Sequence, residues 1–162
     1  MRCFIIGFSM ICLSACATTG ANSTAPSSAA GEQQVQVRTI AIDRVTEVSS
    51  EVSDDASYGY TEGNAIKVGG GFRGPLNERT FLSMLAGPNG EKVSYKRLGS
   101  CCSFKTLHAM IGDSGALDEY EVVIDGKDTK ILFLNMYDPG GTLKIPVGFT
   151  MAEDASGDSS RR

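Results

Sequence analysis

Two adjacent cysteines, Cys101 and Cys102, offer the most reactive chemistry in this sequence. Neighbouring residues lie ~3.8 Å apart at Cα across a trans peptide, closer than the ~4.4–6.8 Å usual for a disulfide. A disulfide between them would be strained and readily reduced, as a redox or ligand-sensing site requires. Buried thiols or a purely structural disulfide fit the same pair. The two thiols could also bind a soft metal, with His108 as a third ligand.

A run of glycines has the order of a phosphate-binding loop. Gly69, Gly71 and Gly74 match G-x-G-x-x-G, a spacing that lets the backbone approach a pyrophosphate at a helix N-terminus. A predicted strand over 65–68 precedes them and a predicted helix follows. Pro75 comes directly after the last glycine, however, and the sheet predicted below is antiparallel. The run therefore favours a plain glycine loop, and no cofactor is predicted.

The remaining polar residues do not combine into a catalytic set. His108 is the only histidine, and no serine lies in a G-x-S-x-G elbow. Glu78 lies near the start of the predicted helix, where the helix dipole favours a negative charge. Acidic residues of one predicted strand fit its solvated face: Asp118, Glu119 and Glu121. The sequence predicts no catalytic residue and no metal site, and it favours a protein that is not an enzyme.

Aromatic and basic residues offer a candidate binding surface. Tyr58 and Tyr60 alternate, as residues on one face of a strand do. Arg79 and Lys105 add positive charge, and a glycan or a peptide suits such a combination. The same alternation would also pack both tyrosines against a core, so the two interpretations stay open at this point.

One amphipathic helix is predicted over 75–86. It begins at a proline, which suits the first helical turn because that turn needs no backbone donor. Phe81, Leu82 and Leu85 then form an apolar face. Gly87-Pro88 ends the helix, since proline cannot continue the hydrogen-bond ladder.

Alternating apolar residues predict several short strands. Asn89-Gly90 and Asp125-Gly126 are tight-turn dipeptides that favour hairpins, and the continuous apolar run over 131–134 predicts a central strand. The predicted strands cover 35–42, 65–68, 91–98, 117–125, 131–134 and 143–149. Together these elements predict an α+β fold, with a small antiparallel sheet of about five to six strands and one main helix.

The N-terminal residues have the pattern of an export segment. Arg2 precedes an apolar run over 3–13, which is shorter than the ~20 residues of a membrane-spanning helix. The next residues are rich in Ala, Ser, Thr and Gly and predict a flexible tether that spans roughly 25 Å. The predicted organisation is a signal peptide, a tether, a single domain and a disordered polar tail, over 1–15, 16–34, 35–151 and 152–162.

The junction after the apolar run reads Leu13-Ser14-Ala15-Cys16 and resembles the lipobox of bacterial lipoproteins. In that family the segment before the cysteine is removed and the cysteine carries acyl chains. The resemblance implies lipidation of Cys16 and attachment to the cell membrane. In Gram-negative members an Asp after the cysteine favours the inner membrane, so Ala17 implies the outer membrane, with the domain facing the periplasm. Such a compartment is oxidising for the remaining cysteine pair.

Short strings follow one another in order over about 58–151. They are Tyr58-Gly59-Tyr60-Thr61, Ile66-Lys67-Val68-Gly69-Gly70, Asn77-Glu78-Arg79, Gly87-Pro88-Asn89-Gly90-Glu91, Gly99-Ser100-Cys101-Cys102, Phe104-Lys105-Thr106, Asn135-Met136-Tyr137-Asp138 and Pro146-Val147-Gly148-Phe149. They resemble a family of small bacterial lipoproteins without an established activity. Some members carry the label 2-dehydro-3-deoxyphosphooctonate aldolase. That enzyme is a (β/α)₈ barrel, which typically takes ~250 residues, far more than this domain has.

The net charge of the protein limits the classes of molecule that it can bind. The formal net charge is −4, and the basic residues cluster only at the terminal Arg161-Arg162. Neutralisation of phosphates dominates nucleic-acid binding, so nucleic acid is excluded as a partner. The sequence predicts a non-enzymatic binding or structural module of the cell envelope, with an envelope protein or a glycan as partner. The alternative is a thiol-based redox or ligand-sensing protein that uses Cys101 and Cys102.

Overall fold

The computed structural model describes residues 37–42 and 46–153, all within one compact unit, Val35–Arg162. The predicted signal peptide, Cys16, the tether and the tail beyond residue 153 lie outside the described residues. The elements follow the order β1 (Thr39–Ala41), β2 (Glu47–Val52), β3 (Ile66–Lys67), α1 (Gly74–Ser83), β4 (Leu85–Ala86), β5 (Val93–Lys105), β6 (Ser114–Ile124), β7 (Asp128–Asn135), β8 (Thr142–Ile145) and β9 (Thr150–Met151). Two 3₁₀ turns, Glu62–Asn64 and Gly71–Arg73, flank β3.

The largest sheet has four strands in the order β3-β7-β6-β5. Strands β5, β6 and β7 are joined by antiparallel hairpins, and the predicted Asp125-Gly126 turn between β6 and β7 is confirmed. Strand β3 adds to β7 in parallel, with Ile66 opposite Leu134. Strand β7 therefore lies inside the sheet, as its continuous apolar run predicted.

The prediction of a single antiparallel sheet with five to six strands is wrong, and only the coarser α+β class stands. The described strands form three sheets, of three strands (β1-β2-β8), four strands and two strands (β4-β9). Strand β8 pairs with β2 in parallel, with Val48 opposite Leu143. Dipeptides such as Asp-Gly mark strands that are neighbours in the sequence. The β2–β8 pairing joins distant residues and leaves no local signal.

Helix α1 ends at Ser83 rather than at the predicted residue 86. Leu85 and Ala86 leave the helix and pair with Met151 and Thr150 as strand β4. The helix nevertheless has a buried stripe with the expected spacing of three and four residues. Its members are Gly74, Asn77, Glu78, Phe81 and Leu82. Two polar residues thus share the apolar face of the helix.

One hydrophobic core joins α1 to all three sheets. Its buried members come from β2, β3, β4, β6, β7, β8 and β9 as well as from the helix. Phe81 of the helix, Leu132 of β7 and Ile145 of β8 have no solvent exposure. Side chains of β5, by contrast, are exposed or half-buried along the whole strand. Strand β5 is therefore the open edge of the four-stranded sheet.

Candidate functional site

Strand β5 continues beyond the predicted end at residue 98 and forms a long two-stranded ribbon with β6. The pairing register of this ribbon shifts at Leu98 and again at Cys102. Each of these residues is an extra residue on β5, which makes it a β-bulge. Bulges change the direction of the neighbouring side chains, and in this ribbon they bring polar groups together.

The bulge at Leu98 gathers a polar cluster on the α1 side of the sheet. Arg97 lies opposite Tyr120, and Ser100 lies opposite Asp118. Two residues three apart on a regular strand face opposite sides of a sheet. Because one extra residue lies between them, Arg97 and Ser100 face the same side.

Asp118 is the centre of this cluster. Its carboxylate accepts two hydrogen bonds from Arg97, of 2.7 Å from Nε and 2.8 Å from Nη2, and one of 2.8 Å from the Ser100 hydroxyl. Burial acts to raise the pKa of Asp118, but the bonds from Arg97 and Ser100 outweigh it and lower the pKa below its ordinary value. The prediction that Asp118 lies on a solvated strand face is wrong, since the residue is almost fully buried.

Glu78 reaches the same cluster from α1 and has no solvent exposure. The Tyr120 hydroxyl donates a hydrogen bond of 3.0 Å to its Oε2. Burial, and then the charge of Asp118, raise the pKa of Glu78 to about 8. Glu78 is therefore mostly protonated at neutral pH, next to the ionised Asp118. The interpretation of Glu78 as a residue placed by the helix dipole is wrong.

This carboxyl pair holds one proton between two buried groups, an arrangement that some enzymes use for acid and base catalysis. In this protein the pair lies at the contact of α1 with β6, beneath Arg97. It lines neither of the two grooves described below. The geometry ties the helix to the ribbon and stores a proton there, and it does not present the pair to a substrate.

The second bulge carries a disulfide between Cys101 and Cys102. Cys102 has a φ of 54°, in the left-handed region that residues other than glycine rarely adopt. Both cysteines are half-buried, and Cys101 lies opposite the buried Leu117 of β6. Their partial exposure permits thiol–disulfide exchange with a reductant in solution.

The loop at the ribbon tip, residues 106–113, is held by Asp138 in the loop after β7. The Thr106 hydroxyl donates to Asp138 Oδ1, and His108 Nδ1 donates to the same oxygen over 3.0 Å. The Asn135 amide donates to Oδ2 over 3.0 Å. Burial acts to raise the pKa of Asp138, but these hydrogen bonds outweigh it and lower the pKa. The ionised carboxylate therefore anchors the tip loop.

Hydroxyl, carboxylate and imidazole are present in this network, but in a different order from a catalytic triad. In a triad the imidazole lies between the hydroxyl and the carboxylate and accepts the hydroxyl proton. In this protein the Thr106 hydroxyl and the His108 ring both bond to Asp138, which lies between them. The backbone N–H of His108 also donates to Thr106 Oγ1 over 3.0 Å. The network supports positioning of the loop rather than activation of a nucleophile.

Large exposed apolar side chains lie on the tip loop and on the 3₁₀ turn before α1. Leu107 is fully exposed at the ribbon tip, Ile111 is 90% exposed, and Met110 of the same loop is also exposed. Phe72 is 91% exposed on the 3₁₀ turn before α1. That turn bonds to the loop after β7, since Gly71 N–H donates to Met136 O over 3.0 Å. We call these four residues the apical surface: Phe72, Leu107, Met110 and Ile111.

The two predicted tyrosines lie at the other end of β3, in the segment before it. Tyr58 and Tyr60 both pack against the core, as one of the two sequence interpretations had it. The Tyr60 hydroxyl donates a hydrogen bond of 2.5 Å to Val147 O, and this bond joins the segment to the turn after β8. The phenol of Tyr60 is therefore occupied by a structural contact.

Tyr58 also lines a small groove with a volume of about 350 Å³, together with Lys67 and Lys144. Burial raises the pKa of Tyr58 to about 12, although the backbone N–H of Lys144 donates to the phenol and opposes that rise. The Lys144 ammonium pairs with Glu51 at 3.0 Å and with Asp54 at 3.5 Å. A second, larger groove of about 950 Å³ lies along β4 and β9 and contains no predicted site residue.

The two predicted basic residues lie on other elements. Arg79 is exposed on α1, and its backbone carbonyl accepts a hydrogen bond of 3.3 Å from the Tyr95 hydroxyl. Lys105 is exposed at the end of β5 and pairs with Asp113 across the ribbon tip at 2.6 Å. The structure therefore places the four predicted binding residues on separate elements, and of the four only Lys105 borders the apical surface.

The predicted glycine loop surrounds a side chain of the chain itself. Asn77 Nδ2 donates to Val68 O over 3.2 Å and to Gly69 O over 3.4 Å. A Cβ at Gly70 would lie 2.6 Å from Asn77 Nδ2, and Gly70 has a φ of +100°, so the loop requires glycine there. Asn77 thus fills the concave side of the loop.

Cys101 and Cys102 are not placed to bind a metal ion, because their sulfurs form a disulfide. His108, the third predicted ligand, bonds to Asp138 instead. Within 37–42 and 46–153, no cluster of three His, Cys, Asp or Glu side chains is placed to hold a metal ion. Over the same residues, no helix has the length and apolar character needed to cross a bilayer.

Sequence reasoning missed the carboxyl pair and the apical surface. The signal for the first was present, because Asn77 and Glu78 share the helical spacing of Phe81 and Leu82. Polar residues on an apolar face indicate a buried polar contact. The signal for the second was the apolar content of 107–111, which lies between two predicted strands where a polar turn is usual.

Comparisons with protein-family models, with curated proteins and with solved structures find no match for this chain. The resemblance of residues 13–16 and 58–151 to bacterial lipoproteins therefore stays a prediction. The residues and the geometry of the chain itself carry the functional conclusions that follow.

Proposed function

We propose that the protein is a lipid-anchored module of the cell envelope that acts by binding another envelope component. Acyl chains on Cys16 attach it to the outer membrane, and the domain faces the periplasm. The lipobox-like string Leu13-Ser14-Ala15-Cys16 supports the anchor. Each buried methylene of an acyl chain contributes ~0.8 kcal/mol, and more than one chain makes the attachment stable.

The apical surface is the observation that supports binding. Leu107, Ile111 and Phe72 are almost completely exposed although each has a large apolar side chain. Single exposed apolar residues are ordinary, whereas a group at one end of a domain marks an interaction site. The hydrogen bonds of Asp138 fix the loop that carries two of them. The surface is therefore presented to a partner in a defined conformation.

The polar groups of the described residues support binding over catalysis. The carboxyl pair of Glu78 and Asp118 is buried, and Thr106 is not bonded to an imidazole ring that could accept its proton. An enzyme needs a nucleophile, acid or base within reach of its substrate. A module that acts through its surface has no such requirement.

The anchor is tested with a Cys16→Ser variant of the full chain, expressed in a Gram-negative host. We expect mass spectrometry to find acylated Cys16 at the N-terminus of the mature wild-type protein. We also expect the variant to leave the membrane fraction, because no acyl chain can be attached. Cys12→Ser, in the segment predicted to be removed, is the control and should stay lipidated. A wild-type protein that still begins at Met1 would contradict the anchor.

The binding surface is tested by photo-crosslinking in intact cells. A photoreactive amino acid replaces Leu107 in one variant and Val147, exposed in the turn after β8, in the other. We expect adducts with a protein, a glycan or a lipid of the envelope from position 107 and few from position 147. Equal labelling from the two positions would remove the support for the apical surface.

A second candidate function, thiol-based redox or ligand sensing, is favoured by the partly exposed disulfide at the Cys102 bulge. A dithiol donor would reduce it by exchange: two electrons and two protons pass to Cys101 and Cys102, and the donor becomes a disulfide. Ser100, the next residue in the chain, bonds to Asp118. A change in the backbone at the Cys102 bulge would therefore alter the hydrogen bond between Ser100 and Asp118.

The double variant Cys101→Ser/Cys102→Ser tests this candidate. A disulfide between adjacent residues closes almost no loop, so its loss should change the free energy of unfolding by less than ~1 kcal/mol. A folded variant that has lost a cellular phenotype supports redox chemistry, whereas loss of folding supports a structural role. Two permanently free, unreactive thiols in the native protein, found by alkylation and mass spectrometry, would exclude the candidate.

A further inference from the structure

Most of the apical surface lies in one short loop. Three of its residues, Leu107, Met110 and Ile111, lie in one loop of the ribbon tip, and the loop is closed by a hydrogen bond of 3.1 Å from Thr106 N–H to Asp113 O. Stable complexes between proteins bury ~800 Å² on each partner with complementary shapes. A projecting tip with a few side chains does not supply such an area, whereas insertion into an acyl layer requires no matching shape.

The free energy of binding to the apical surface also distinguishes a protein partner from a lipid bilayer. Burial of three large apolar side chains contributes a limited free energy of binding. Association of two free molecules costs a free energy of similar size in lost freedom of motion. The apical surface alone therefore holds a free partner only weakly. A bilayer that already carries the proposed anchor is different, because the tether predicted from the sequence, with a span of roughly 25 Å, would make insertion an intramolecular step.

The residue types agree with a lipid partner. Binding hot spots between proteins are enriched in Trp, Tyr and Arg, and leucine is under-represented there. Segments that enter the boundary between headgroups and acyl chains present Leu and Phe. Lys105 beside the loop is paired with Asp113 at 2.6 Å, so its charge has a partner. Arg73, next to Phe72, is long enough to keep its guanidinium at the level of the headgroups.

We propose that the apical surface inserts Leu107, Ile111 and Phe72 into the bilayer that holds the lipid on Cys16, and so gives the domain a second, reversible attachment to that membrane. This inference rests on the proposed lipid anchor and names the partner of the apical surface. The inserted side chains fix the orientation of the domain, with the ribbon tip and the turn of Phe72 towards the lipid.

Tryptophan fluorescence provides the test, because the chain contains no tryptophan. The lipidated full-length protein with Leu107→Trp is reconstituted into vesicles of phosphatidylethanolamine and phosphatidylglycerol. We expect a blue-shifted emission, strong quenching by lipids brominated on the acyl chain, and weak quenching by acrylamide. The Val147→Trp variant, exposed outside the apical surface, is the matched control and should show the opposite pattern.

A second probe, Phe72→Trp, keeps the inference testable if the first variant folds poorly, since Phe72 lies on a different segment. Quenching of L107W or F72W by brominated lipid no greater than that of V147W would overturn the inference. A blue shift that depends on protein density but not on brominated lipid would assign the surface to a second copy of the chain, and would also overturn it. Continued anchoring through Cys16 in either case would leave the proposed function intact.

Discussion

The buried pair of Glu78 and Asp118 shows how two chemically similar residues can have opposite protonation states. Asp118 accepts hydrogen bonds from Arg97 and Ser100 and stays ionised, whereas Glu78 accepts only from Tyr120 and lies against that negative charge. Burial disfavours both charges, so the better-bonded group keeps its charge. The consequence is a protein whose stability depends on the proton of one glutamic acid.

We expect Glu78→Gln to remove a pH dependence of stability. The pKa of Glu78 is about 8 in the folded protein against 4.5 as the ordinary value, so the folded state binds more protons between these pH values. The free energy of unfolding therefore falls as pH rises through this window, by roughly 4 kcal/mol from pH 5 to pH 8. The amide of glutamine does not titrate in this range. Urea unfolding at several pH values measures the difference.

The control for this prediction is Glu121→Gln, on the opposite face of β6, which should follow the wild-type profile. Below pH 4 both proteins should lose stability, because the pKa of Asp118 is lowered and its protonation breaks the ion pair with Arg97. A wild-type profile that is flat from pH 5 to pH 8 would contradict the proton assignment.

At the residue scale, sequence reasoning found the cysteine pair but not the environment of Asp118. The adjacency of Cys101 and Cys102 is visible in the sequence, and the structure joins them. The environment of Asp118 depends on a bulge at Leu98, and nothing in the alternation of residues 93–98 predicts an extra residue there. Bulges change side-chain direction without changing composition, so a strand pattern read from sequence misses them.

The ribbon of β5 and β6 carries Asp118, the disulfide and the tip loop with Leu107, Met110 and Ile111. The part of the ribbon that pairs with β7 packs against α1. The end that carries the tip loop extends beyond β7, and the loop after β7 folds against that end. Phe104 and Tyr137 meet there edge to face, with ring centroids 6.0 Å apart. Gly115, in β6, lies beneath both rings. The absence of a side chain at Gly115 permits this contact.

We expect Gly115→Ala to destabilise the protein by ~1–3 kcal/mol. Its Cβ would lie 2.8 Å from Tyr137 Cδ2 and 3.0 Å from Phe104 Cζ, so the two rings must separate. Gly99→Ala in the same ribbon is the matched control, since a Cβ there meets nothing within 4 Å. Chemical denaturation compares the two variants. Equal effects would contradict the role of Gly115 as a packing site.

At the scale of the elements, the sequence predicted those features that depend on interactions between residues close together in the chain. The Asp125-Gly126 turn and the inner position of β7 are both confirmed. The end of α1 was predicted wrongly, because Leu85 continues the helical spacing of Phe81 and Leu82 but pairs with Met151 instead. A contact with the far end of the chain decided that boundary, and no propensity of the segment reveals it.

On the scale of the whole molecule, one hydrophobic core unites three small sheets. Ile145 of β8 is fully buried and belongs to the same cluster as Leu132 of β7 and Phe81 of α1. An isolated pair of strands such as β4 and β9 is marginal in water, and a sheet gains stability when its hydrophobic face is covered by another element. The sheets therefore depend on one another for their stability.

We expect Ile145→Ala to lower the free energy of unfolding by ~2–5 kcal/mol while the protein still unfolds in a single transition. The reason is that Ile145 has no solvent exposure and belongs to the core shared by all three sheets. Far- and near-ultraviolet circular dichroism should give coincident curves. Val147→Ala, with its exposed side chain, should change stability by less than ~0.5 kcal/mol. Two separate transitions would show that the sheets unfold independently.

The irregular course of β5 has a consequence for the behaviour of the protein at high concentration. Thirteen residues of an open strand would offer a second molecule a continuous template for backbone pairing, and such templates promote fibre growth. The interruptions at Leu98 and Cys102 divide this template into segments too short and too twisted to recruit another chain. The features that collect Arg97 and Ser100 around Asp118 thus also disfavour backbone pairing between copies of the protein along β5.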